Sequence, residues 1–171
     1  MTLPTSSVQP GFWSSSFTAE QALAGMKEYG QLVAGPNHSL YWVEYQPENN
    51  GRTAICCWRD GKICNLTPEE ITIRSRVHEY GGQSWCLMAQ QLVFINGDDQ
   101  QLWLQSLDDL SLHKLTDTPS CRYGAPVWDQ SRHRLIAVQE EHLPGDNPVD
   151  VVNPLVAVDL SNGELSVLHE G

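Results

Sequence analysis

At 171 residues with a 40% hydrophobic share, the chain can bury a core, which sets it apart from disordered segments. Ten Lys and Arg against 21 Asp and Glu give a net charge of -11, which repels phosphate backbones and anionic lipid, so nucleic acid and membrane surfaces are poor partners. No stretch approaches the ~20 apolar residues of a membrane helix, and the opening residues lack the basic region and apolar run of a secretory signal.

A Ser, Thr and Pro-rich lead-in comes first. Thr18 and Gln21 then have capping-box spacing ahead of Ala22, Leu23 and Met26, predicting a short helix from about Ala19 to Met26. Gly30, Gly35 and Pro36 punctuate the chain, and helical periodicity does not return.

From Leu40 onward the pattern is of strands. Leu40 to Tyr45, Thr53 to Trp58 and Lys62 to Leu66 are aromatic and β-branched runs separated by Glu48-Asn49-Asn50-Gly51 and Asp60-Gly61 turns. The order recurs at Gln83 to Met88, Leu92 to Asn96, Leu102 to Leu107 and Leu112 to Leu115. It recurs again at Ala125 to Trp128, Arg134 to Glu140, Leu155 to Leu160 and Glu164 to Leu168.

The units end on Leu66-Thr67, Leu115-Thr116 and Leu168-His169, which lie 49 and 53 residues apart. Four short strands per roughly 40 to 50 residues is the signature of propeller blades. A β-sandwich also has many short strands, but it does not require self-similarity at a fixed period. The predicted fold is all-β, a partial β-propeller of about three four-stranded antiparallel blades with a short N-terminal helix. Residues 1–36 form the lead-in and 37–171 the propeller segment, with blades at about 37–68, 82–117 and 123–171. Three blades are too few to close a propeller of 4 to 8, so the segment belongs to a longer protein or finds its missing blades in a partner.

No catalytic centre is legible. Gly82-Gln83-Ser84-Trp85-Cys86 lacks the second Gly of a nucleophile elbow and opens a strand, so Ser84 reads as a strand residue. His78-Glu79 begins like a zinc-protease helix, but Gly82 stands where the second His is needed. Glu140, Glu141 and His142 read as a solvated strand terminus, because neighbours on a strand point to opposite faces. Neither metal nor cofactor is expected. The five cysteines, Cys56, Cys57, Cys64, Cys86 and Cys121, include no Cys-x-x-Cys and read mainly as packing thiols in a reducing, cytoplasmic compartment. The sequons at Asn37 and Asn65 read as accidental.

The run from Arg74 to Gly82 mixes charge, imidazole, phenol and paired glycines between two blades. Two readings stay open: Arg76 and Glu79 pair with each other and fix the inter-blade link, with Gly81 or Gly82 in a backbone geometry reserved for glycine, or the run lines a channel or meets another domain.

The Trp13-Ser14 lead-in with Thr18-Ala19-Glu20, the run Arg76-Val77-His78-Glu79-Tyr80-Gly81-Gly82, Arg122-Tyr123, Glu140-Glu141-His142 and the stretch Asn153 to Leu160 together resemble a known group. It is the amino-terminal propeller of prolyl oligopeptidase family serine peptidases, in the dipeptidyl aminopeptidase and acylaminoacyl peptidase branch. The resemblance implies a propeller that caps an α/β-hydrolase domain holding Ser, Asp and His and limits substrates to small peptides. No residue here corresponds to that triad. Where the family often has Arg-Tyr-Ala-Asp, this chain has Arg122-Tyr123-Gly124-Ala125. The implied role is non-catalytic gating and scaffolding, with Arg76, His78, Glu79, Tyr80, Arg122 and Tyr123 at a channel or domain interface. The partner is the hydrolase domain or, through the open blades, a second copy giving six blades, with Tyr41, Val43, Leu155 and Val156 in the end units. The alternatives are a stand-alone interaction module and a truncated remnant.

Overall fold

The computed structural model describes residues 14–23, 26–142 and 151–171. Trp13 and most of the loop between Glu141 and Val152 lie outside them. Helix α1 (Ala19–Leu23) is entered through the expected capping box: Thr18 N–H donates to Gln21 Oε1 at 2.9 Å and Gln21 N–H to Thr18 Oγ1 at 3.1 Å.

Among the described residues, twelve strands follow in three four-stranded antiparallel sheets, the partial, unclosed propeller that the period implies. The first sheet has β1 (Glu28–Ala34), β2 (Leu40–Gln46), β3 (Arg52–Arg59) and β4 (Lys62–Asn65) in sequence order. The second has β5 (Trp85–Leu87), β6 (Gln91–Ile95), β7 (Leu102–Ser106) and β8 (Leu112–Lys114), and the third β9 (Cys121–Asp129), β10 (Arg134–Glu141), β11 (Leu155–Asp159) and β12 (Leu165–His169). Strand β1 lies ahead of residue 37, where the sequence pattern starts the first blade. Its alternation is hidden because the register with β2 shifts between Gly30 and Val33 and Gln31 adopts φ 51°.

The sheets stack face to face. Along β6, Leu92 and Phe94 point to the first sheet and join Tyr41, Val43, Ile55 and Cys57, whereas Val93 and Ile95 point to the third and join Leu135, Ala137, Val156 and Val158. The period of two in a strand sends successive side chains to opposite faces, so the middle sheet is dry on both. Of the apolar residues expected in the end units, Tyr41, Val43 and Val156 are therefore buried between sheets and add nothing to the open faces. The apolar residues left on the outer face of the third sheet are Val127, Ile136, Val138 and Leu155, adjacent by register. On the outer face of the first sheet, Leu40, Trp58 and Ile63 are exposed, but Glu44 is buried there and accepts from Lys27 Nζ at 2.7 Å.

The repeat has a hydrogen-bond counterpart. Ile55 N–H donates to Thr67 Oγ1 at 2.8 Å while Leu66 N–H donates to Ile55 O, and Leu102 N–H donates to Thr116 Oγ1 at 3.0 Å while Leu115 N–H donates to Leu102 O. Each Leu-Thr pair thus closes its blade in the same way.

Candidate functional site

The link from the first to the second sheet, residues 71–77, alternates like a strand. Ile71, Ile73, Ser75 and Val77 are buried, while Arg74 and Arg76 are exposed. Two ties hold it down. Ser75 Oγ donates to Tyr123 O at 2.7 Å, and Gln100 accepts from Arg76 N–H at 2.7 Å while donating to Arg74 O at 3.1 Å.

At the end of the link the chain reverses through a tight turn. His78 (φ 57°), Glu79 (φ 64°) and Gly81 (φ 78°) all take left-handed backbone conformations, and Gly81 N–H donates to Val77 O at 3.0 Å. A β-carbon at Gly81 would lie 2.6 Å from Ser75 O, so glycine is required there by both angle and space. Two non-glycine residues at positive φ need support from outside the turn. It comes from Glu140, whose Oε2 accepts the His78 N–H.

Glu140 is the centre of the site. It is only 3% exposed, so its carboxylate must be compensated. Arg122, its direct partner across β9 and β10, places Nη1 3.7 Å from Oε1; His142 Nε2 also meets Oε1, and His78 Nδ1 lies 4.0 Å from Oε2. The same Arg122 Nη1 reaches Glu79 Oε1 and Arg76 O, each at 3.4 Å.

This corrects two expectations. Glu140 is not a solvated terminus: a guanidinium, an imidazole and a backbone N–H surround it. Glu79 pairs with Arg122 rather than Arg76, because the reversed turn directs Glu79 back towards β9. Of the six residues singled out from sequence, Arg76, His78, Glu79 and Arg122 converge, three of them through Glu140 or its partner. Tyr80 stands apart at 97% exposure, and Tyr123 points the other way into the core between the second and third sheets, where burial pushes its phenol up to about 12. Sequence reasoning missed Gln100 and misread Glu140. The available signal for Glu140 was its place at the end of a strand whose partner carries Arg122.

The arrangement holds a loop; it does not assemble a nucleophile and base. Ser84 is buried, and its Oγ meets an amide oxygen, Gln31 Oε1, at 3.5 Å rather than an imidazole. No group of three His, Cys, Asp or Glu side chains gathers as a metal site among the described residues, and no described helix is long and apolar enough to cross a membrane.

No protein-family model and no curated protein matches the chain. Solved structures do. A Mycobacterium tuberculosis puromycin-hydrolyzing peptidase superposes with a TM-score of 0.79 at 26% identity, over 93% of this chain and 27% of the peptidase. A puromycin hydrolase superposes with a TM-score of 0.80 at 26% identity, over 92% of this chain and 26% of that one. The chain resembles the propeller region of prolyl oligopeptidase family peptidases. It spans about a quarter of the length of those enzymes. The likeness to a putative TolB from Agrobacterium tumefaciens, with a TM-score of 0.58 at 16% identity, is one of fold alone.

Proposed function

We propose that the chain is the non-catalytic propeller portion of a prolyl oligopeptidase-like serine peptidase, gating access to an α/β-hydrolase domain supplied by a longer protein. The observation that carries this is the match of nearly the whole chain to about a quarter of each puromycin-hydrolysing enzyme, at 26% identity. The missing base beside Ser84 supports a non-catalytic role. The five unpaired thiols fit a reducing, cytoplasmic setting.

In this reading Arg76, His78, Glu79, Tyr80 and Arg122 form one mouth of the propeller and meet the hydrolase domain, with Tyr80 as the projecting contact and Tyr123 anchoring the link from beneath. Self-association through the open outer sheets is the counterpart when the hydrolase domain is absent.

Two measurements test the reading. A serine-reactive fluorophosphonate should leave the isolated chain unlabelled, and stoichiometric labelling at Ser84 would overturn it. In the longer protein, Glu79→Ala should change peptidase activity or domain association while barely moving the melting temperature, because the Glu79 side chain is 80% exposed and such pairs add little stability. Unchanged activity with a lowered melting temperature would reduce the loop to a structural strut.

A further inference from the structure

The β3–β4 hairpin carries an arrangement that the peptidase reading does not use. Cys57 on β3 and Cys64 on β4 are direct cross-strand partners, and Arg59 and Lys62 are the next such pair on the same face. All four line one groove of about 500 Å³ together with Asp60, beside Leu107 and Asp108 of the β7–β8 turn. Two thiols, two cations and the carboxylates of Asp60 and Asp108 therefore share one surface.

The register sets the spacing. Leu66 N–H donates to Ile55 O, which puts Ile55 and Leu66 at the register of a hydrogen-bonded pair, although the Ile55 N–H itself goes to Thr67 Oγ1. Cys57 and Cys64, two positions further along each strand, are then a pair of the same kind, with α-carbons about 5.5 Å apart. That α-carbon spacing falls inside the roughly 4.4–6.8 Å window of a disulfide, while the β-carbons of such a pair, about 5.5 Å apart, must draw in by about 1 Å, which makes the bond strained and easily reduced.

The two thiols are not equivalent. Cys57 is 4% exposed and burial raises its pKa, whereas Cys64 is open to solvent. The other three cysteines are buried, and burial pushes Cys56 up to about 11 and Cys86 up to about 12. Cys64 is thus the thiol a reagent reaches first. Arg59 and Lys62 face each other across the hairpin, with the Asp60 carboxylate of its turn and Asp108 in the same groove, so the groove carries both signs of charge.

We propose that Cys57 and Cys64 are a reversible redox pair, oxidised to an intramolecular disulfide by a small external disulfide. Cys64 loses its proton and its thiolate attacks one sulfur of R–S–S–R, giving Cys64–S–S–R and RS⁻. Cys57, deprotonated in turn, attacks Cys64 Sγ and expels the second RS⁻. The two released thiolates take up the two protons. The protein's two thiols are oxidised, and the external disulfide is reduced to two RSH. The product staples β4, whose four residues are all exposed, to β3.

The test uses the full chain and glutathione disulfide, followed by intact mass and peptide mapping. The expected product has lost two hydrogens and yields a peptide joining Cys57 to Cys64, reversible by dithiothreitol. In Cys57→Ser the reaction should stop at a glutathione adduct on Cys64, and Cys64→Ser should not react. Neutral hydroxyethyl disulfide should give the same Cys57–Cys64 product, because the groove carries both signs of charge. A stable adduct on Cys64 in the parent chain, no reaction, or a disulfide through any other cysteine would each overturn the proposal, and none of these readouts requires the buried-site variant to fold. Peptidase activity plays no part in this test, so it stands or falls separately from the functional reading.

Discussion

Arg122 and Glu140 oppose each other across β9 and β10, and through this one pair the third sheet holds the turn that leaves the first. Glu140 accepts the His78 N–H, and Arg122 reaches the Glu79 carboxylate and the Arg76 carbonyl. Sheets far apart in sequence are thereby fastened at one end of the stack.

Removing that fastening should be costly. Glu140→Ala leaves the His78 N–H and the His142 imidazole without their acceptor and takes the buried counter-charge from Arg122, and should cost about 2–4 kcal/mol. In a domain of this size that lowers the melting temperature by roughly 5–15 °C. Glu140→Gln keeps an acceptor for His78 and should lose clearly less. Thermal unfolding followed by circular dichroism checks both, and equal losses would show that the charge is essential.

Gly81→Ala places a methyl group against Ser75 O at φ 78°. The combined strain should cost about 2 kcal/mol or more. Gly82 has open space around its α-carbon and no positive φ, so Gly82→Ala should be nearly neutral. Urea unfolding of the two variants should show a lower midpoint at unchanged slope for Gly81→Ala alone.

The outer face of the third sheet should drive self-association. Val127 is 53% exposed, with Ile136, Val138 and Leu155 beside it. Sedimentation at rising protein concentration should show mass growing beyond the monomer, and Val127→Lys should restore a monomer by charging that face. A parent chain that stays monomeric throughout would count against this surface.

Asp129 gives the fold an acid-sensitive point. Ser131 Oγ donates to its Oδ1 at 2.7 Å and Arg134 Nε to its Oδ2 at 3.0 Å, and with the hydroxyl contributing most, its carboxyl is held down to about 2. The unfolded carboxyl titrates near about 3.9. Between these values the unfolded chain binds more protons, so this contribution is complete above the higher value and lost as pH falls through the lower one. Asp129→Asn should flatten stability against pH between roughly 4 and 2, as measured by urea midpoints.

The architecture was legible because the repeat is physical. The Leu-Thr ends that gave the period of 49 are the residues whose hydroxyls and amides close the first two blades. Strand β1 was illegible because a bulge breaks its alternation. At the site, local signals pointed to the right loop, since paired glycines and mixed charge are turn chemistry. The partner of Glu79 was not readable: Arg122 lies 43 residues away, and only the stacking of sheets brings it near. Glu140 was misread for a related reason. Its neighbours on the strand gave no hint that a loop from another blade would cover it.

The two dry faces of β6 have a consequence for how the molecule comes apart. A sheet with one wet face can loosen at that face while its neighbour stays put, but β6 contacts the first sheet through Leu92 and Phe94 and the third through Val93 and Ile95. Neither flanking sheet can detach without opening one side of this strand to water. Its amides should therefore exchange with deuterium only when the whole stack opens, while the rim strands β4 and β12 exchange through local fraying. The central strand is the keystone of the stack's cooperativity, and a conservative trim there, such as Phe94→Leu, should loosen sheets that Phe94 never touches.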